Sequence, residues 1–363
     1  MPGTRASARL MRKHGKEVKP SSFSHCFALA VLSITSLFNV ETALARVEYK
    51  IATGPEQGTS YRLGRDIGKW VAPAADMDLT ALPSEGSLQN IQRLRYEAGV
   101  KFALVQSDVY QSFLERAATG DKAAEQLIRP LRVILPLYDE EIYFVARADA
   151  PFNYIHEIKG RHINVGPQQS GSAITAASLY RTVFGEPIGE DYVSNFSNEE
   201  ALIRLVTDKS VDVVVLVAAQ PSKLLADMKA EAGKYIKLLG LDPKAPDTAK
   251  AAKTYFTQTI RAAKYPQWLT EDVPTFAVKS VLVTYDYDVK NTQSNMSRFA
   301  RSLCTNFAKL KQEGHPKWQQ VSLELPSLPK GWSYYPPTER ELRSCGKHAR
   351  AKTPVKRPTV KRQ

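Results

Sequence analysis

The chain has 363 residues, of which 43% are hydrophobic and 24% charged, a composition typical of a globular protein with two domains of ordinary size. Its formal net charge is +13, but six of the 50 Lys and Arg lie in residues 1–45 and eight in 343–363, which leaves 36 against 35 Asp and Glu between them. This nearly neutral body excludes the basic folded surface of a nucleic-acid-binding protein.

The N-terminal segment has the pattern of an export signal. Six basic residues precede the apolar run 26–38, which is too short to span a bilayer. Ala43 and Ala45 then give the A-x-A arrangement of a signal-peptidase site. We therefore predict that residues 1–45 are a signal peptide cleaved near Ala45 and that the mature protein is periplasmic. A membrane anchor and a mitochondrial-type presequence are the alternatives.

From residue 47 onward, strand patterns alternate with helix patterns. Strand patterns at residues 47–53, 80–82 and 102–106 are each followed by a polar turn and a helical pattern. Ser107 is predicted to cap the third of these helices. Three such units in a row predict an α/β lobe with a parallel sheet.

The second half of the chain repeats this alternation. A helical pattern over 173–184 stops at Gly185, and Ser197 and Glu200 form a capping box. A looser stretch at 242–265 precedes the last strand. The strand patterns of this half are the long apolar run 131–146 and the segments 162–165, 213–218 and 276–284. A helical pattern follows them at 291–312.

Cleavage after Ala45 leaves two cysteines, Cys304 and Cys345. In an oxidising compartment an even pair predicts a disulfide, here joining the C-terminal segment to the helix 291–312. Two unrelated buried thiols are the alternative. The basic segment 343–363 is rich in Lys, Arg, Pro and Thr, which predicts a disordered tail.

Four polar turns stand where strands end and helices begin, at residues 53–61, 84–87, 106–108 and 166–172. Ligands of open α/β sheets bind at the carboxyl ends of strands, and helix N-termini favour anions there. Gly, Ser and Thr are also simply good turn and cap residues, which is the alternative for each turn alone. Four turns on one expected rim favour a binding site.

Motifs of enzymes and metal sites are missing from the sequence. It has no P-loop, no G-x-G-x-x-G after a strand, no G-x-S-x-G and no zinc-ligand spacing. Glu140 and Glu141 are neighbours on a predicted strand and should point to opposite faces, so we interpret them as hinge or surface residues rather than a catalytic pair. The sequence therefore predicts a protein that is not an enzyme and has no cofactor and no metal.

At its polar turns the chain resembles the TAXI family of extracytoplasmic solute receptors, which are associated with TRAP-type transporters. The likeness spans about residues 46–290. The family motifs T-G-x-x-G-G-T-Y-Y-x-L-G, G-G-S-x-x-N, V-Q-S-D, V-G-x-x-x-S-G-[ST] and V-P-T have counterparts, in this order, at residues 53–64, 85–90, 105–108, 165–172 and 273–275.

This resemblance implies an α/β periplasmic-binding-protein fold of type II, in which two α/β lobes are joined by two crossover strands. We place the crossovers near residues 135–142 and 278–285. Lobe one is then expected at 46–138 and 284–342, and lobe two at 139–283.

The resemblance also implies a function. A monomeric receptor would capture a small carboxylate-type solute, an organic acid or an amino-acid-like molecule, by hinge closure and deliver it to an integral-membrane TRAP permease. A ligand sensor for a membrane signalling partner is the alternative, and an enzyme on the same fold is a third reading. No nucleic acid is expected as a partner.

The residues expected to bind the ligand are those of the matched motifs. Gln57 and Ser60 replace a glycine and an aromatic residue of the family pattern, which predicts a roomier and more polar pocket wall. Arg62 and Arg65 are candidates to pair a ligand carboxylate, with solvated surface arginines as the alternative. The predicted ligand-binding residues are Thr53, Gly58, Thr59, Ser60, Tyr61, Gly86, Ser87, Gln106, Ser107, Ser170, Gly171, Ser172, Pro274 and Thr275.

Overall fold

The computed structural model describes residues 46–351, and the side chains of residues 46–345. The predicted signal peptide and the end of the predicted tail lie outside the described residues. Among the helices described, none is both long enough and apolar enough to cross a membrane. The strands are β1 Val47–Ala52, β2 Met77–Leu82, β3 Val100–Gln106, β4 Leu131–Arg147, β5 Ile163–Asn164, β6 Val193–Ser194, β7 Val213–Ala218, β8 Ile236–Leu238, β9 Phe256–Ile260 and β10 Val273–Tyr285.

Helices follow most of these strands, as the sequence pattern predicts. Gly185 ends one of them in a left-handed conformation with φ 76°, and the Ser197 hydroxyl accepts a hydrogen bond from the Glu200 amide at 3.2 Å. The α-helices are α1 Thr59–Trp70, α2 Ser87–Tyr96, α3 Ser107–Ala118, α4 Lys122–Ile128, α5 Gly171–Phe184, α6 Asn198–Val206, α7 Lys223–Ala226, α8 Pro246–Ala251, α9 Lys290–Glu313 and α10 Pro336–Ala351.

The strands form one sheet in the order β2-β1-β3-β10-β4-β7-β5-β6, with β8 on β4 and β9 on β10. β1 pairs in parallel with β2 and β3, and β5 pairs in parallel with β6 and β7. These two parallel groups are the sheets of lobe one and lobe two. The predicted fold class is confirmed: the chain has two α/β lobes joined by two crossover strands, the fold of type II periplasmic binding proteins. The residue boundaries of the lobes stay a prediction.

The hinge is a ribbon of two long antiparallel strands, β4 with 17 residues and β10 with 13. Residues 280–283 of β10 pair with β3 in lobe one, whereas residues 273–277 pair with β9. In β4, residues 141–146 pair with β7 in lobe two. Each crossover strand therefore belongs to both lobes, and any opening of the lobes bends both strands together.

Each lobe buries an apolar layer on both faces of its sheet. In β3, Phe102 and Leu104 pack on one side with α1 and α9, while Ala103 and Val105 pack on the other with α2 and α3. In β7, Val213 and Val215 lie in the layer of α5, and Val214 and Leu216 in the layer of α6. Burial on two faces explains why these strands are continuous apolar runs rather than alternating ones.

The C-terminal segment returns to the first lobe and is tied to it. A disulfide joins Cys304 on α9 to Cys345 on α10, with 6.0 Å between the Cα atoms. Arg343 pairs with Glu339 at 2.7 Å within α10. Residues 343–351 continue α10, which the disulfide and the Arg301–Glu341 ion pair at 2.8 Å hold to α9, whereas the sequence predicts a disordered tail from residue 343.

Two local expectations also need correction. The stretch 242–265 is not loose, since it contains α8 and β9, and β9 pairs with β10 over five residues. Ser107 is not the N-cap of α3, which is Gln106. The Ser107 hydroxyl instead accepts a hydrogen bond from the Lys279 amide at 3.0 Å and so ties the start of α3 to the crossover strand β10.

Candidate functional site

A cleft of about 980 Å³ lies between the lobes at the carboxyl ends of the parallel strands. Its walls are the turns after β1, β2 and β3 in lobe one, and the end of β7 with the turns before α5 and α6 in lobe two. Glu140 and Ser280 of the crossover strands line it as well, as does the segment 315–317 that follows α9. The cleft is therefore bounded by both lobes and by the hinge.

Most of the predicted ligand-binding residues meet in this cleft. Arg62 also lines it with an exposed side chain, whereas Arg65 is exposed and is not part of the lining. The predicted residues found in the lining are Thr53, Gly58, Thr59, Ser60, Gly86, Ser87, Gln106, Ser170, Gly171 and Ser172.

Four predicted residues do not line the cleft: Tyr61, Ser107, Pro274 and Thr275. The Thr275 side chain is fully buried and donates a hydrogen bond to the Ile142 carbonyl on β4. Pro274 and Thr275 lie in the part of β10 that β9 covers. The V-P-T motif is therefore a structural part of the hinge, because its residues pair with the neighbouring strand β9.

The two rims of the cleft touch at a pair of glycines. Gly86 lies at the end of its turn with φ 138°. A Cβ atom added to Gly86 would lie 2.9 Å from the Gly171 amide nitrogen. A Cβ atom on Gly171 would lie 1.6 Å from Gln106 Oε1 and 2.7 Å from Ser87 Oγ. Only glycine permits this approach, so the structure has its lobes closed on each other at this rim.

Replacing Gly171 with alanine is expected to disfavour this closed arrangement, because the added methyl group overlaps Gln106 of the other lobe. Overpacking of this kind costs about 1–3 kcal/mol, so ligand affinity should fall about 5- to 150-fold. Small-angle X-ray scattering should show a larger radius of gyration. Gly240→Ala is the matched control, since it adds the same methyl group outside the cleft lining, where a Cβ atom would lie 3.7 Å from the nearest side chains. A compact G171A protein with parental affinity would contradict the expectation.

A hydrogen-bonded chain of side chains forms the lobe-one wall of the cleft. The Gln106 side chain accepts a hydrogen bond from the Ser87 hydroxyl at 3.2 Å and donates one to Glu140 Oε2 at 2.7 Å. The Ser87 hydroxyl also accepts a hydrogen bond from the backbone N–H of Gln106 at 3.1 Å. Ser60 and Tyr138 share a hydrogen bond of 2.7 Å between their hydroxyls. Ser60 thus contributes a polar group to the wall, and Tyr138 of β4 fixes its position.

Both glutamates of the hinge are buried, so their interpretation as surface residues is wrong. Glu140 is 6% exposed and Glu141 is 2% exposed. Glu141 accepts hydrogen bonds from the Gln220 backbone and side chain at 2.8 and 3.1 Å, whereas Glu140 is held by Gln106. Burial raises the pKa of Glu140 to about 7, and the charges of Asp108 and Glu141 add to this, although Gln106 and Tyr138 oppose it.

The family model described as NMT1-like matches residues 51–326, which is most of the chain. The chain belongs to the NMT1-like family. Three solved structures are similar to this NMT1-like protein at low sequence identity.

The first is the arginine-, lysine-, histidine-binding protein ArtJ from Geobacillus stearothermophilus, 12% identical over 77% of this chain and 97% of that one, with a TM-score of 0.45. The periplasmic binding protein BugD is 11% identical over 83% of this chain and 94% of that one, also at 0.45. The periplasmic VFT2 domain of BvgS from Bordetella pertussis is 11% identical over 75% and 91%, at 0.42.

The NMT1-like chain places one buried cation in the cleft that the sequence patterns did not reveal, in addition to the exposed Lys223 and Lys264. Lys317 is 6% exposed and belongs to the 3₁₀ turn Pro316–Gln320 after α9. Its neighbour Trp318 is fully buried, and the Trp318 indole donates a hydrogen bond to Asp66 on α1 at 2.9 Å. This anchoring holds the turn against the cleft. The sequence itself shows only a lysine between a proline and a tryptophan, and nothing in that pattern indicates that the lysine is buried.

The Lys317 ammonium has little local compensation. It donates a hydrogen bond to Gln320 at 3.3 Å, and among the described residues it forms no ion pair within 4 Å. Burial lowers its pKa, while the negative charges of Glu141, Asp139 and Glu140 act in the opposite direction. Asp139 pairs with Lys279, and the two glutamates are hydrogen-bonded to glutamines. The cleft therefore contains a buried ammonium whose neighbouring carboxylates are held by other groups.

No group of three or more His, Cys, Asp or Glu side chains that could hold a metal ion occurs among residues 46–345. The polar groups that line the cleft are hydroxyls, amides, the buried Glu140 carboxyl and Lys317 ammonium, the His315 ring, and the exposed charged side chains of Arg62, Glu85, Glu199, Lys223, Asp227 and Lys264. This donor set can bind and orient a small polar molecule.

Replacing Glu140 with glutamine is expected to stabilise the protein at high pH. In the unfolded chain this carboxyl ionises near 4.5, but in the fold its pKa is about 7. Stability is therefore lost as the pH rises from about 4.5 to 7 and stays low above that. E140Q should gain on the order of 2–3 kcal/mol at pH 8 and nothing at pH 4.5, measured by chemical denaturation. Glu85→Gln, an exposed side chain of the same cleft, should show no such gain, and a pH-independent effect of E140Q would contradict the burial argument.

Proposed function

We propose that this protein is a receptor that closes its two lobes on a small carboxylate-bearing molecule. The observation that carries the proposal is the buried Lys317 ammonium, which lines the cleft without an ion-pair partner among the described residues. Burying an isolated charge costs several kcal/mol unless an opposite charge accompanies it. A ligand carboxylate beside Lys317 supplies that charge.

Three helix N-termini support an anionic ligand. The helices α1, α2 and α5 begin at Thr59, Ser87 and Gly171, and all three residues line the cleft. Helices of 10 to 14 residues carry a partial positive charge and free N–H groups at this end. Because α1 and α2 belong to lobe one and α5 to lobe two, an anion between them is attracted to both lobes.

Closure follows from the same arrangement. A ligand that contacts both lobes only when they are shut stabilises the shut state by its difference in affinity for the two states. The β4–β10 ribbon is the element that bends. Both walls of the cleft present hydroxyl and amide groups to the ligand. Closing the lobes also excludes water from it.

We further propose that the receptor works in the periplasm as a monomer and delivers an organic acid or amino-acid-like solute to an integral-membrane TRAP permease. The likeness of residues 53–64, 85–90, 105–108 and 165–172 to TAXI motifs supports this finer assignment. A complex formed with a membrane signalling protein instead of a permease would favour the sensor alternative.

A thermal-shift screen of small carboxylic acids, each paired with its uncharged amide, tests the proposed ligand class. Succinate with succinamide and glutamate with glutamine are suitable first pairs. A ligand present at 100 times its dissociation constant should stabilise the protein by about 2.7 kcal/mol. Acids should raise the melting temperature and their amides should not. Binding of cations or neutral amides in preference to acids would refute the carboxylate assignment.

Export of the protein predicts a defined mature N-terminus. Because residues 1–45 carry the signal pattern, mass spectrometry of the protein from its native cells should find a chain beginning at Arg46. Recovery of a membrane-bound form that retains residues 1–45 would show that the segment is an anchor.

A further inference from the structure

A carboxyl group is buried where α3 of lobe one meets α5 of lobe two. Asp108, on the first turn of α3, is 6% exposed. Thr175 of α5 faces it and is fully buried. Asp108 is absent from the lining of the cleft, so a ligand held there does not touch it. This contact therefore belongs to the interface between the lobes.

Among the described residues, the side-chain polar atoms of this contact make no hydrogen bond of normal geometry. Within residues 46–345, no partner with hydrogen-bond geometry reaches either carboxylate oxygen of Asp108, the Thr175 hydroxyl or the Tyr255 hydroxyl. A buried ionised carboxylate without a partner is strongly disfavoured, whereas the neutral acid is tolerated. Burial accordingly raises the pKa of Asp108 to about 6, although the nearby Thr175 hydroxyl and Val109 amide oppose the rise.

The groups around Asp108 come from every element that packs on α3. The α5 helix presents Thr175, the segment before β9 presents Tyr255, and β4 presents Glu140, whose negative charge acts against a second charge on Asp108. Gln106 of β3 is occupied by Glu140. Lys279 of β10 pairs with Asp139, and on α4 the exposed Lys122 pairs with Glu125. Among the described residues, none of these cations forms an ion pair with Asp108.

We propose that Asp108 and Thr175 form a proton-controlled latch between the lobes, in which the closed arrangement holds Asp108 as the neutral acid and ionisation of Asp108 favours opening. Opening separates α3 from α5 and returns the carboxyl to water, where its pKa is near 3.8. Closing therefore takes up a proton. The closed state is most favoured below pH 4 and loses this advantage as the pH rises through 6.

The latch can be tested without any ligand, so its failure is separate from failure of the proposed function. Small-angle X-ray scattering of the ligand-free protein at pH 4.5 and pH 7.5 should show a more compact particle at the lower pH. The equilibrium constant for closing should differ by on the order of a hundredfold between pH 4 and pH 7.5. Asp108→Asn imitates the neutral acid and should be compact at both pH values.

Two controls make the result specific to Asp108. Asp78→Asn, an exposed carboxylate paired only with Arg46, should keep the full parental response. Glu140→Gln should keep most of the response and move its midpoint to a slightly lower pH, because it removes a neighbouring negative charge but leaves Asp108 buried. The ¹³C signal of the Asp108 carboxyl, assigned by its loss in D108N, should titrate near pH 6. A titration midpoint near 4, or a pH response that D108N retains in full, overturns the proposal.

Discussion

Replacing Lys317 with glutamine is expected to weaken binding of a carboxylate ligand by about two to three orders of magnitude. Glutamine keeps a hydrogen-bonding group of similar length but removes the buried charge. Removing one member of a buried charge pair costs about 2–5 kcal/mol, since the remaining charge loses its partner after giving up water. Calorimetric titration with the strongest acid from the screen measures this loss directly.

The same substitution should have the opposite effect on the empty protein. Ligand-free K317Q is expected to be at least as stable as the parent toward urea, because an uncompensated buried ammonium has been removed. Arg62→Gln is the matched control, since Arg62 lines the cleft with an exposed side chain and should change affinity only a few-fold. If R62Q lost more affinity than K317Q, the anion site would lie at Arg62, as the sequence first suggested.

Replacing Cys345 with serine is expected to lower the free energy of unfolding by about 4 kcal/mol. The disulfide closes a loop with a sequence separation of 41 residues, and a loop of this length restricts the unfolded chain by about that amount. Urea denaturation followed by tryptophan fluorescence measures the change.

Two comparisons show whether this loss comes from the disulfide itself. Cys304→Ser, and the double substitution, should lose as much as C345S and no more, because all three variants lack the same bond. A reductant should lower the stability of the parent and leave the variants unchanged. Equal stability of the parent with and without reductant would indicate two thiols instead of a bridge.

The fold was predictable because its signals are local. The apolar runs at 102–105 and 213–218 lie in β3 and β7, which are buried on both faces, so the side chains of these runs had to be apolar. Gly185 ends α5 where a left-handed residue is needed. The prediction that failed concerned the contact between two separate strands. The pairing of β9 with β10 joins residues 13 to 21 positions apart, from Ile260–Val273 to Phe256–Ala277, and no periodic pattern within 242–265 indicates it.

The candidate site divides in the same way. Ser60, Ser87 and Gly171 could be placed near the cleft because turns after parallel strands meet on one edge of a sheet. Thr275 could not be excluded, since only the assembled hinge shows that its hydroxyl is used by the Ile142 carbonyl. Lys317 could not be included, because it reaches the cleft only when the C-terminal segment folds back across the first lobe. Burial, not residue type, distinguishes it from the other lysines.

The disulfide between α9 and α10 has a consequence for how the receptor matures. Residue 317 lies between Cys304 and Cys345, so the lysine that we assign to the ligand carboxylate sits inside a covalently closed ring. Before oxidation, nothing but non-covalent packing holds that ring in place against the cleft. A newly synthesised chain should therefore acquire high affinity for its ligand only after its thiols have been oxidised. Retention of the solute would then report that oxidative folding is complete.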